Sequence, residues 1–254
     1  GTVQIKDDIG GLKLGNVNAT ALSINTAADN GALTQAAATH VTIGTTTALT
    51  LGTGDATLNR AGNDFGGAVT VSSGGAINIK DDTTGVLLGN VNAASLTVNT
   101  STDNGSITQD VGTTVVTTNA ALTNALNAGT GAITLDNNAN NLVGRTDLTG
   151  GTVSVKDDTG GLVLGNVSAA SLAVNTGADN GPLSQATGTS VSVTGVTTLN
   201  TGTGSITLGN GGNNLVGQVD VTGGAVSLKD DTGGVVLGNV SAASVDVNTA
   251  TGNG

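Results

Sequence analysis

The chain has no cysteine, methionine, tryptophan or tyrosine, and only one phenylalanine (Phe65), one histidine (His40) and one proline (Pro182) among its 254 residues. Without cysteine there is no disulfide framework, no thiol nucleophile and no cysteine-bound zinc. With Phe65 standing alone and no tryptophan or tyrosine, the usual bulky core is missing, and a sugar ring would find no aromatic platform to stack on. Glutamate is absent too. All 18 acidic residues are aspartate, set against seven lysines and arginines, for a net charge of −11. Strong helix formers other than alanine and leucine are nearly missing, which argues against long surface helices. The negative balance opposes nucleic acid and anionic membranes, since both require clustered cations. No run of about 18 apolar residues marks a membrane span. Neither an initiator methionine nor a signal peptide opens the chain, and it starts and stops inside its own repeat, so it reads as a segment of something longer.

What is present is aliphatic and repetitive. Hydrophobic residues make up 37% of the chain and 42 residues are glycine. That much apolar side chain argues against disorder, and the glycine has no collagen period. Ile5-Lys6-Asp7-Asp8 recurs as Ile79-Lys80-Asp81-Asp82, Val155-Lys156-Asp157-Asp158 and Leu228-Lys229-Asp230-Asp231, with the lysines 74, 76 and 73 residues apart. Leu14-Gly15-Asn16-Val17 and Ile24-Asn25-Thr26 recur behind each copy. The chain is therefore a tandem array, with units at about 3–76, 77–152 and 153–225 and a partial unit at 226–254.

Within a unit, short stretches such as Val3-Gln4-Ile5, Leu22-Ser23-Ile24, Val41-Thr42-Ile43 and Val69-Thr70-Val71 alternate apolar with small polar residues. That is the period of a strand with one face buried. Gly-Gly, Asp-Asn-Gly and Gly-Thr-Gly separate them and close turns. Residues Val153 to Thr222 divide into about nine stretches, or three coils of three. Strands this short, joined by uneven loops, suit a coil better than the longer strands and two-residue turns of hairpin folds. The expected fold is all-β: one parallel β-helix (β-solenoid) over residues 1–254, about three coils per 73–76-residue repeat, around a dry aliphatic interior.

The phrase Ala61-Gly62-Asn63-Asp64-Phe65-Gly66-Gly67-Ala68-Val69-Thr70-Val71, followed by Ile79-Lys80-Asp81-Asp82 and Leu88-Gly89-Asn90-Val91, resembles the repeats of very large bacterial exoproteins of the filamentous-haemagglutinin type. Degenerate copies stand at Asn140-Asn141-Leu142-Val143-Gly144 and Asn213-Asn214-Leu215-Val216-Gly217. The resemblance covers essentially the whole chain. It implies a right-handed β-helix, exported across an outer membrane and used as a stalk for adhesion or contact with other cells.

Four groups of residues invite a chemical reading. The paired aspartates suggest acid–base hydrolysis, but adjacent strand residues face opposite ways and copies in different units lie too far apart to share one bond. No catalytic residue is expected, and the chain is not read as an enzyme. Asp29, Asp103 and Asp179, each opening an Asp-Asn-Gly turn, are the calcium candidates, since aspartate and turn carbonyls suit that ion. An Asx hydrogen bond explains the same turn without metal. Threonine runs such as Thr45-Thr46-Thr47 come once per unit, too sparsely for an ice-binding lattice. His40, Arg60 and Arg145 are isolated.

The reading is a structural stalk or filament segment of a secreted, cell-surface bacterial adhesin-like exoprotein. Its expected partners are neighbouring repeats of the same longer chain, with self-association into fibres and neither nucleic acid nor membrane insertion. The alternative is a calcium- or carbohydrate-binding surface-layer module.

Overall fold

A computed structural model describes residues 1–249 and, among them, 25 strands and no helix. Every strand pairing is parallel, and all strands join one continuous sheet wound into a solenoid of about 12 turns. The first repeat contains β1 (Thr2–Lys6), β2 (Leu12–Leu14), β3 (Val17–Asn25), β4 (Leu33–Gln35), β5 (Val41–Gly52), β6 (Ala56–Leu58), β7 (Asp64–Phe65) and β8 (Ala68–Ser73).

Alternation in the sequence becomes alternation of burial, and like residues stack from turn to turn. Ile5 pairs with Ile24, Ile24 with Leu49 and Leu49 with Val71. Successive turns at this column therefore take 19, 25 and 22 residues. Each turn has three sides: β1, β2 and the start of β3 complete one, and the rest of β3 stacks back on β1. β3 and β5 each bend across a corner, at register shifts or polar breaks within the strand. Eight strands consequently supply ten sides, one more than the nine stretches read from the alternation. The missed side is 17–19, with its counterpart 167–169. It is continuous with its neighbours inside Leu162–Asn175, so no turn signal announces it.

Ten sides at three per turn do not close on a whole number of turns. Ala76–Lys80, the counterpart of β1, stacks on β6 rather than in the column of β1. Residues 153–155 stack likewise on Ile133–Leu135, and 226–228 on Ile206–Leu208. Each repeat therefore enters one side further round the solenoid than the one before.

The core is a stack of Val, Leu, Ile and Ala, with Phe65 at the corner that Leu142 and Leu215 fill in later repeats; all three are buried. It is not wholly aliphatic. Gln35, Asn63, Asn124, Asn140, Asn213, Asp81, Asp157 and Asp230 are also buried. The corners expose backbone groups that the strand ladder cannot satisfy, and these side chains satisfy them.

Candidate functional site

The Lys-Asp-Asp phrase lies where one repeat passes to the next. Its two acids do different things because they point opposite ways. The first is inside and fully buried at Asp81, Asp157 and Asp230. Asp81 accepts the backbone N–H of Phe65 at 2.6 Å through Oδ2, and those of Thr83, Thr84 and Gly85 at 2.9, 3.1 and 3.3 Å through Oδ1. Asp157 accepts Leu142 N–H at 2.6 Å and Thr159 N–H at 3.1 Å. Asp230 accepts Leu215 N–H at 2.7 Å, with Thr232 and Gly233 N–H on its other oxygen. Phe65, Leu142 and Leu215 sit on two-residue strands, whose short ladder leaves these amides to the carboxylate.

The second acid lies outside and ties the same corner. Asp82 pairs with Lys80 at 2.7 Å and accepts Gly62 N–H at 2.9 Å. Asp158 pairs with Lys156 at 3.4 Å and accepts Ala139 N–H at 2.7 Å. The backbone closes the contact, with Asp82 N–H donating to Asn63 C=O and Asp158 N–H to Asn140 C=O. The Lys-Asp-Asp phrase and the Gly-Asn-Asp-Phe phrase upstream of it are thus two halves of one clamp.

A second recurring device went unread in the sequence. Gln35 and Asn63 exchange two hydrogen bonds, 2.7 and 3.0 Å, and Asn63 also accepts Val41 N–H at 2.9 Å and donates to Leu58 C=O at 3.0 Å. Gln109 with Asn140 and Gln185 with Asn213 repeat it. The only sequence signal is a glutamine at one fixed place in each unit, 28 or 31 residues before its asparagine.

Electrostatics follow from burial. Desolvation pushes Asp157 up to about 6, against the two N–H bonds that favour its charged form and with Asp179 and Asp158 adding repulsion. Asp82 also suffers desolvation, yet Lys80, the Gly62 N–H and Thr102 hold it below the ordinary carboxylate range. Asp64 is raised by desolvation and by the nearby Asp81, against a hydrogen bond from Thr84.

The calcium candidates occupy an outer corner. Asp29 accepts Gly31 N–H at 3.1 Å and Gly10 N–H at 2.5 Å, while Asp179 accepts Gly181 N–H at 3.0 Å and Gly160 N–H at 2.6 Å. Asp103 holds the same place before Gly105. Asn30, Asn104 and Asn180 all have φ of 59° and each accepts an N–H from the next turn, from Thr53, Thr130 and Thr203 at 2.8 Å. Among the described residues no three acidic or histidine side chains converge on one point. His40 lies on the surface, its Nδ1 2.8 Å from Ala61 C=O. Arg145 forms a two-pronged pair with Asp147 at 2.9 and 2.6 Å. Asp147 also accepts Asn166 N–H at 2.8 Å and leaves no room for a Cβ at Gly165, so this pair caps the bulge at the junction.

A family model described as repeats of unknown function matches residues 1–72, 74–149 and 150–222. No curated protein and no solved structure matches the chain.

Proposed function

The chain belongs to this family of repeats (DUF5649), and from that premise we propose that it is a structural stalk segment of a secreted, cell-surface bacterial exoprotein of the filamentous-haemagglutinin, adhesin-like type. Its work is mechanical: stacked coils hold another module away from the cell, with stability summing over neighbouring turns. One observation carries the reading. The acids that recur in every repeat, the only groups that look catalytic in sequence, are engaged with backbone N–H groups and lysines of their own corner. Continuation of the same coil through further repeats, and association of such rods into fibres, belong to this reading. It includes no enzymatic activity, no resident cofactor and no nucleic-acid or membrane partner.

Deleting residues 77–152 removes ten sides, so the rod is expected to shorten by about 16 Å, three and a third turns at roughly 4.8 Å each, as measured by small-angle scattering. In the parent protein the repeats are expected to be cut by protease added to intact cells. Repeats protected in intact cells and cut only after lysis would overturn the surface placement. A rod that collapses on deletion, without shortening, would overturn the mechanical role.

A further inference from the structure

The outer face of the third repeat carries a groove of about 440 Å³ crossing several turns, lined by Asp136, Ser154, Lys156, Asn175, Thr198 and Asn200. Lys156, Asn175 and Asn200 are stacked in register, and Asn200 continues to Thr222. The amides are fixed in orientation. Asn175 Oδ1 accepts Gly177 N–H at 2.9 Å and Asn200 Oδ1 accepts Gly202 N–H at 3.0 Å, which commits both oxygens and leaves the Nδ2 groups as the donors of the ladder, with the Asn200 amide lying over Gly177 of the preceding turn. Lys156 is held by Asn138 and Asp158.

The second repeat builds the same ladder. Lys80, Asn99, Asn127 and Thr149 are in register, and the oxygens of Asn99 and Asn127 are pinned by Ser101 and Gly129 N–H at 3.0 Å. Because a repeat has ten sides, the two ladders face different directions round the axis.

We propose that these ladders bind neutral, linear polyhydroxylated polymers, that is, uncharged glycan chains laid along the rod axis, one per ladder. The chemistry selects the class. Donors repeating at the strand spacing, with Ser154, Thr198 and Asp136 beside them, match a chain of hydroxyl groups. Amides fixed beforehand lose little entropy on binding. The net charge of −11 disfavours polyanions. The proposal goes beyond the stalk reading, which stands whether or not the shaft binds anything.

The test is calorimetric titration of the intact chain with short neutral oligosaccharides (cello-, laminari- and malto-oligosaccharides), with a polyuronate as the charged probe. The expected result is binding of one neutral series at two sites per chain. N175D/N200D keeps the pinned oxygens and removes the donors, so it should leave one site. Adding N99D/N127D should lower affinity at least tenfold overall, with circular dichroism unchanged. N18D, on an exposed position away from the ladders, should bind like the parent. Absence of binding by every neutral series, equal binding by the four-site variant, or preference for the polyuronate would each overturn the proposal.

Discussion

Asp157 concentrates the chemistry of the junction in one side chain. It is buried, it accepts N–H groups that nothing else satisfies, and burial lifts its pKa to about 6. In the unfolded chain an aspartate titrates near 3.9. Between about pH 4 and 6 the folded state therefore holds a proton that the unfolded state has released. Stability from this group is greatest below pH 4 and falls as pH rises through 6. Two units correspond to an upper bound of about 3 kcal/mol. Asp82 has the opposite sign: its lowered pKa gives stability above pH 4 that disappears on acidification. D157N removes the first dependence and leaves the second. The amide accepts through one oxygen only, so one of the two N–H groups loses its acceptor at every pH; against that fixed cost, the urea midpoint of D157N relative to the parent's is expected to be higher at pH 7 than at pH 4. A midpoint difference that does not change with pH would contradict this assignment. D81A tests the clamp without the titration, since it orphans the N–H groups of Phe65, Thr83, Thr84 and Gly85 and should cost about 2–4 kcal/mol.

Among elements, the short strands β4, β6 and β7 depend most on side chains, because two or three residues make few ladder bonds. The Gln35–Asn63 exchange joins the end of β4 to the turn before β7. Q35L leaves the Asn63 amide half satisfied inside the core, and a buried polar group without its partner costs about 1–3 kcal/mol. Amide hydrogen exchange is expected to quicken in Leu33–Gln35, Ala56–Leu58 and Asp64–Phe65 while the long strands keep their protection. Uniform loss of protection along the rod would show that the pair is not a local fastening. These elements also show how much the sequence disclosed. Val3-Gln4-Ile5 and Leu22-Ser23-Ile24 were legible because strand burial has a period of two, and Asp-Asn-Gly because its turn needs a left-handed residue. The side at 167–169 was hidden inside one long strand. The Gln–Asn pairs were hidden because a glutamine following a threonine or serine at a strand end looks like a surface residue, and only the winding brings Asn63, 28 residues on, against Gln35. The inward face of the first aspartate follows from that same period, which puts Asp157 on the side of Val155, but the cost of burying a carboxylate argues against reading it so from sequence.

For the whole molecule, the decisive number is ten sides against three per turn. It determines which residues lie above one another, and it turns each repeat by one side relative to its predecessor. A flat target such as a crystal plane would meet the same repeat-borne groups only at every third repeat, whereas a stalk or a binder of separate polymer chains offers them in all three directions. The absence of cysteine makes the winding directly testable. In this register Ser154 neighbours Ala173, 19 residues later, because 152–156 and 171–175 are stacked sides. With nine sides per repeat, Ser154 would instead lie beside Ser184, which here pairs with Val163. Neighbouring strands are ~4.8 Å apart, within the roughly 4.4–6.8 Å between Cα atoms that a disulfide spans. S154C/A173C is therefore expected to close an internal disulfide under mild oxidation, read as a loss of two free thiols at monomer mass. S154C/S184C should remain reduced under the same conditions. The reverse outcome would mean that the repeat closes on whole turns, that the polar ladders line one face, and that the shaft has a single working side.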